Sequence, residues 1–159
     1  MVPPIEPVLA ADLMQRKVFA LSPEWTLERG VHDLLRHGFS GAPVVDAQHR
    51  LVGVLSEANC LEILAADAFH DTPSGLVADA MHREVVTVRP ETDVFRLVQL
   101  FRENPYRRLP VVDGDGRMVG LITRRDLLRG LDLMRRRRAA GIGRESTYDT
   151  IREHWEHRD

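Results

Sequence analysis

Residues 120–126, Gly-Leu-Ile-Thr-Arg-Arg-Asp, concentrate groups that hold anions and hydroxyls. They follow a short apolar run and precede a stretch with helical spacing, so they mark a strand-to-helix turn. The first N–H groups of a helix have no partner within it and point outward, which favours phosphate. Gly120 has no Cβ and lets the backbone approach a ligand. Thr123 adds a hydroxyl, and Arg124 and Arg125 add guanidiniums, whose geometry suits phosphate. Asp126 lies one turn in, where its carboxylate could accept two hydroxyls of a ribose. A plainer reading exists. Ser or Thr followed three residues later by an acid is also a helix cap. The two roles are compatible: Thr123 could cap the helix in the empty protein and meet phosphate when a ligand binds.

The chain is written twice. A shift of 67 residues brings residues 11–64 onto 78–131 without a gap, with 18 of 54 positions identical. Asp12 and Met14 fall on Asp79 and Met81, and Pro43-Val44-Val45-Asp46 falls on Pro110-Val111-Val112-Asp113. Many other positions exchange like for like, as Ser56 with Thr123 and Asn59 with Asp126.

Each copy reads β-α-β-β-α. A short apolar stretch (Val18-Phe19; Val85-Val86-Thr87-Val88) comes first, then a Pro-Glu pair and a helix. The expected helix stripes are Leu27, Val31, Leu34 and Leu35, and Val94, Leu97, Val98 and Phe101. Gly38 and Asn104-Pro105 end these helices. Two strands follow, 42–45 to 51–55 and 109–112 to 118–122, joined by tight turns. A last helix opens at Ser56 or Thr123 and carries Leu61 and Leu64, or Leu128, Leu131 and Met134. A unit of this size is hard to stabilise alone. The expected fold class is therefore α+β, with two tandem repeats sharing a core. The boundaries read as 1–64 for the first repeat with its N-terminal segment, 65–77 for a linker, 78–134 for the second repeat and 135–159 for an Arg-rich stretch and tail.

Two β-α-β-β-α copies, each with Pro-Val-Val-Asp, a turn and Gly-x-x-Ser/Thr-x-x-Asp/Asn, resemble a tandem pair of cystathionine-β-synthase (CBS) domains. The likeness covers roughly residues 10–134. It implies a pseudo-twofold regulatory module, commonly a homodimer, that binds AMP, ADP, ATP or a related adenosyl compound in clefts between repeats and signals to a regulated protein. On the family layout, Arg107 and Arg108 could reach the cleft of Gly120, Thr123, Arg124, Arg125 and Asp126. Val85, Val86 and Pro110 would form an apolar wall for adenine, and backbone near Thr87 and Arg108 would read its edge.

The copies differ where charge matters. Glu57 and Ala58 stand in place of Arg124 and Arg125, and Ser40 and Gly41 in place of Arg107 and Arg108. The first site (Val18, Ser40, Gly41, Pro43, Gly53, Ser56, Asn59) should therefore be weaker, empty, or suited to an uncharged nucleoside.

The rest of the chain narrows the classes. Its 159 residues carry a formal charge of −2, which gives no global pull toward nucleic acid or an anionic membrane. Cys60 is the single cysteine, so no intrachain disulfide framework exists and a reducing, cytoplasmic setting is expected. No signal peptide or membrane span is legible. No Ser–His–acid order, Gly-rich phosphate loop or paired carboxylates point to an enzyme. No resident cofactor or metal is expected; His154 and His157 share a face but lack a third ligand. Arg135–Arg138 could touch nucleic acid, but cations at a helix C-terminus are favoured by its dipole. Tyr148, Ile151 and Trp155 suit a short amphipathic tail helix. A ligand-free oligomerisation module stays open as an alternative.

Overall fold

A computed structural model describes residues 7–70 and 73–139. The tail helix and the His154–His157 pair lie outside the described residues. The elements are α1 (Ala10–Leu13), α2 (Leu27–His37), β1 (Gly41–Val45), β2 (Leu51–Ser56), α3 (Glu57–His70), α4 (Val77–Ala80), α5 (Val94–Glu103), β3 (Arg108–Val112), β4 (Met118–Thr123) and α6 (Arg124–Ala139). No helix among the described residues is long and apolar enough to cross a membrane.

The helices start and stop where local chemistry says they should. Thr26 Oγ1 accepts the Arg29 N–H at 3.2 Å, and Asp93 Oδ1 accepts the Arg96 N–H at 2.9 Å. These caps satisfy N–H groups that the helices cannot. Gly38 ends α2 in the left-handed region, at φ 67°. Asn104 ends α5, its side-chain amide donating to the Leu100 carbonyl at 2.9 Å. Two elements run further than sequence suggests. α3 continues through 65–70, a stretch read as linker, because Ala-Ala-Asp-Ala favours helix. α6 takes in the arginine run, since Arg is a good helix former.

The hairpins are as expected. β1 pairs antiparallel with β2, Pro43 opposite Val54 and Val44 opposite Gly53, with an irregularity between Val44 and Val45. β3 pairs with β4. The matching turn positions His49 and Gly116 both need positive φ, 63° and 77°. Glycine meets that demand without strain and histidine does not.

The leading strand of each copy shrinks to one residue. Val18-Phe19 forms no strand; Leu21 bridges Val44 in parallel, and Val88 alone bridges Val111. Leu21 N–H donates to the Pro43 carbonyl and Val45 N–H to the Leu21 carbonyl, each at 2.9 Å. Extending that ladder toward Phe19 would next require an N–H from Pro43, and proline has none. Pro110 sets the same limit before Val88.

The chain divides into two compact units that do not follow the repeats. The first-repeat unit holds Phe19–Val86 and Gly114–Met118; the second-repeat unit holds the described residues up to Val18, Thr87–Asp113 and those from Val119 on. Each repeat's leading helix is thus built into the unit of the other copy. In the second-repeat unit, Ala10 N–H donates to the Thr92 carbonyl and Ala11 N–H to that of Pro90. In the first-repeat unit, Val77 and Ala78 make the matching bonds to Trp25 and Pro23. The first-repeat core gathers Leu21, Leu27, Leu34, Val44, Leu55, Cys60 and Val77. Buried residues of the other unit include Leu13, Val94, Leu97, Leu109, Val111 and Ile122.

Three leucines assigned to helix stripes face solvent: Leu35 is 73%, Leu61 70% and Leu128 68% exposed. At the last helices the buried face begins one residue earlier, at Cys60 and Leu127. The preceding residues, Asn59 and Asp126, bond back to the helix start, and this sets the phase of the helix.

Two glycines admit the segments that follow α1 and α4. Gln15 and Leu121 exchange both backbone hydrogen bonds at 2.9 Å, and His82 and Val54 do the same. A Cβ on Gly120 would stand 2.5 Å from Met14 Sδ; on Gly53 it would stand 2.6 Å from Met81 Sδ and 2.7 Å from the His82 carbonyl oxygen. Gly53→Ala and Gly120→Ala are therefore each expected to cost about 1–3 kcal/mol in urea unfolding. Gly53→Ala should cost more, because the backbone oxygen there stands at 2.7 Å, against 3.0 Å for the Gln15 carbonyl oxygen at Gly120.

Candidate functional site

The second junction is where β4 hands over to α6. Thr123 and Asp126 cap each other: the Thr123 N–H donates to Asp126 Oδ2 at 2.8 Å, and the Asp126 N–H donates to Thr123 Oγ1 at 3.2 Å. This reciprocal pair is the capping box expected from the spacing. Asp126 is 1% exposed, a buried acid at the start of a helix. A buried carboxylate needs donors, and a second one comes from far along the chain. Gln15 Nε2 lies 3.2 Å from Asp126 Oδ1 and 3.3 Å from Oδ2.

Arg124 and Arg125, on the first turn of α6, are exposed. Arg107 is exposed, Arg108 half-buried at the start of β3, Thr87 exposed and Pro110 buried. With Gly120, these belong to the second-repeat unit. Val85 and Val86 are half-buried and fall in the first-repeat unit. On its Cβ side, the space beside Gly120 is taken by Met14 and Gln15 of the chain itself.

The first junction uses the same box with neutral groups. Asn59 Oδ1 accepts the Ser56 N–H at 3.1 Å and the Ser56 hydroxyl at 2.6 Å, while the Asn59 N–H donates to Ser56 Oγ at 3.3 Å. The Glu57 N–H donates to the Ser40 carbonyl at 2.9 Å. Glu57 and Ala58 are exposed where the second junction shows two arginines. Gly41 is packing-driven: a Cβ there would stand 2.9 Å from the Leu55 carbonyl oxygen. Pro43 and Gly53 are buried in the same unit, and Val18 falls in the other. Cys60 follows Asn59 and is buried; desolvation chiefly, and the Glu57 carboxylate, push its thiol above the ordinary range.

Sequence reasoning missed Gln15. It lies 111 residues from Asp126, and no local spacing connects them. The available signal was the duplication: Gln15 matches His82, which follows the Met81 packed on Gly53.

The CBS domain model matches residues 10–66 and 77–137. The chain belongs to the CBS domain family. Its two CBS repeats form an α+β fold, each with a hairpin and flanking helices. The chain resembles CBSX2 of Arabidopsis thaliana, a CBS-pair protein, with TM-score 0.73 and 27% identity over 82% of this chain and 99% of that one. CBSX2 has also been solved in complex with AMP, at TM-score 0.70 and 27% identity over 80% and 98% of the two chains. The cytosolic domain of the Mg2+ channel MgtE, solved in complex with ATP, gives TM-score 0.65 and 32% identity over 76% of this chain and 48% of that one. Inosine-5'-monophosphate dehydrogenase of Methanocaldococcus jannaschii is 29% identical over 120 residues, 76% of this chain and 23% of that enzyme. The CBS pair thus spans nearly all of CBSX2 and under a quarter of the dehydrogenase.

Two outcomes are expected from the caps. Asp126→Ala removes the cap acceptor of the Thr123 N–H and should cost roughly 1–3 kcal/mol in urea unfolding; Asn59→Ala should cost about 1 kcal/mol. Cys60 should react slowly with iodoacetamide at pH 8 in the folded protein and fully in urea. Its thiol titrates higher when folded, so the stability linked to it is present below the unfolded thiol's pKa and fades as pH rises through the folded one.

Proposed function

We propose that this CBS pair is a regulatory sensor that binds an adenine nucleotide, chiefly at the second junction, and passes its state to a partner protein. AMP, ADP, ATP and related adenosyl compounds are the ligand class. The observation that carries this reading is the charge difference between two otherwise matching caps. Arg124 and Arg125 lie exposed on the first turn of α6, whereas Glu57 and Ala58 occupy those places on α3. Helix start, hydroxyl and guanidiniums together suit a phosphate, and the Asp126 carboxylate suits a ribose. The first junction, with Ser56, Asn59 and a carboxylate, suits an uncharged nucleoside at best. The nucleotides held by CBSX2 and by the MgtE domain support the class of ligand.

In this reading the protein works by population shift: the nucleotide favours the arrangement it binds better, and the partner reads the change. Catalysis is not part of the proposal. A homodimer in the cytoplasm is the working state, in keeping with one buried free cysteine.

A second reading has its own observation. Asp126 is already satisfied without any ligand, so the boxes could be architecture alone. Calorimetry and thermal shift with AMP, ADP, ATP, NAD and S-adenosylmethionine separate the two, because a ligand specific for the folded state raises its stability. The double variant Arg124→Ala/Arg125→Ala changes exposed side chains and should leave the melting temperature unchanged. It should weaken AMP by about tenfold or more, the scale of a charged hydrogen bond, while barely affecting adenosine. No binding and no shift with any of the five would leave only the architectural role.

A further inference from the structure

We propose that Gln15 is a latch on the second junction: its side-chain amide occupies the Asp126 carboxylate in the empty protein and must swing away before a ribose can take its place. The inference rests on the nucleotide reading above and adds the residue that regulates access to the site.

The geometry separates a fixed part from a movable one. The backbone of Gln15 is pinned by its two 2.9 Å bonds with Leu121 and by the approach that Gly120 permits. Only the side-chain torsions hold the amide over the carboxylate. Gln15 is itself exposed, whereas the acid it covers is 1% exposed. Water and a solute therefore reach Gln15 first. The amide spans both oxygens, at 3.2 and 3.3 Å, and these are the atoms that two adjacent hydroxyls would need. Releasing the amide requires no change in the backbone and leaves the Thr123 N–H bond in place. The cap can thus hold the helix while the outer acceptors change partner.

The contact is peculiar to one copy. His82 takes the place of Gln15 against Val54, with the same pair of backbone bonds. Asn59, in the place of Asp126, is held through Ser56. The junction with the exposed arginines is the one whose carboxylate is covered. A closed latch lowers apparent affinity by the fraction of molecules in which the site is open. Because it acts at the sugar end, it should do so alike for adenosine, AMP and ATP.

The test is calorimetry of the full chain with adenosine, AMP and ATP, comparing the unaltered protein with Gln15→Ala and Gln15→Met; the methionine keeps the length and removes the amide. Both variants are expected to bind all three ligands on the order of three- to tenfold more tightly. In the unaltered protein, the Gln15 side-chain amide resonances should shift on AMP binding. Unchanged or weaker binding by both variants, with the unaltered protein still binding, would overturn the latch and leave the nucleotide reading standing. Equal tightening confined to AMP and ATP would overturn it as well, since that would be a phosphate effect. If none of the three proteins binds any of the ligands, the nucleotide reading fails and the latch fails with it.

Discussion

Two missing Cβ atoms decide how this molecule is assembled. At Gly53 and Gly120 a methionine sulfur lies where a side chain would begin, and the next residue pairs with the strand residue beyond the glycine. A backbone-to-backbone bridge of that closeness has no room for even a methyl group. The bridge fixes the end of each leading helix against its hairpin. It also sets the height of the following residue over the strand-to-helix junction. The position of Gln15 above Asp126 follows directly from it.

The leading helix of each sequence copy completes the unit of the other, and this gives the duplication a physical role. Repeats of about 55 residues bury a modest share of their surface. Here one face of each hairpin-and-helix assembly is covered by a segment 67 positions away in the register of the repeat. Ala10, Leu13 and Met14 are buried in one unit, Val77, Ala80 and Met81 in the other. Neither set could be buried in the same way by its own copy without breaking the hydrogen bonds to Pro90 and Thr92, or to Pro23 and Trp25. Two copies are therefore the smallest number that leaves no leading helix without a surface.

Most of the fold was legible in the sequence because the signals were local and repeated. Hairpin turns, the stop at Gly38 and the boxes at Ser56 and Thr123 each depend on residues within four positions of one another. The short leading strand was misread because its length is set by a distant partner, Pro43, in another strand that lacks the donor. Leu61 and Leu128 were misread although the cue is local: the boxes at Ser56 and Thr123 turn Asn59 and Asp126 back on the helix start and move the buried face one residue earlier. Leu35 fits the α2 stripe by spacing and is exposed. Gly120 was read as leaving room for a ligand against the backbone; what stands on its Cβ side is the chain's own Met14 and the Gln15 carbonyl. At the candidate site, residue types were readable and coverage was not, since Gln15 reaches Asp126 across 111 residues.

The comparison of the two copies separates scaffold from chemistry. Positions that carry packing are the same in both: Met14 and Met81, Gly53 and Gly120, Pro43 and Pro110, and the Val-Val pairs of β1 and β3. Positions that decide charge at the junction differ: Glu57 against Arg124, Ala58 against Arg125, Asn59 against Asp126, His82 against Gln15. The differing residues at helix positions 57, 58, 124 and 125 are exposed, and the differing cap residues each accept the N–H of Ser56 or Thr123 and donate their own N–H to its hydroxyl oxygen. Substitution there changes the charge of the junction while leaving the helix start intact. A fold with this division can hold two junctions of unlike charge without a second architecture to support the difference.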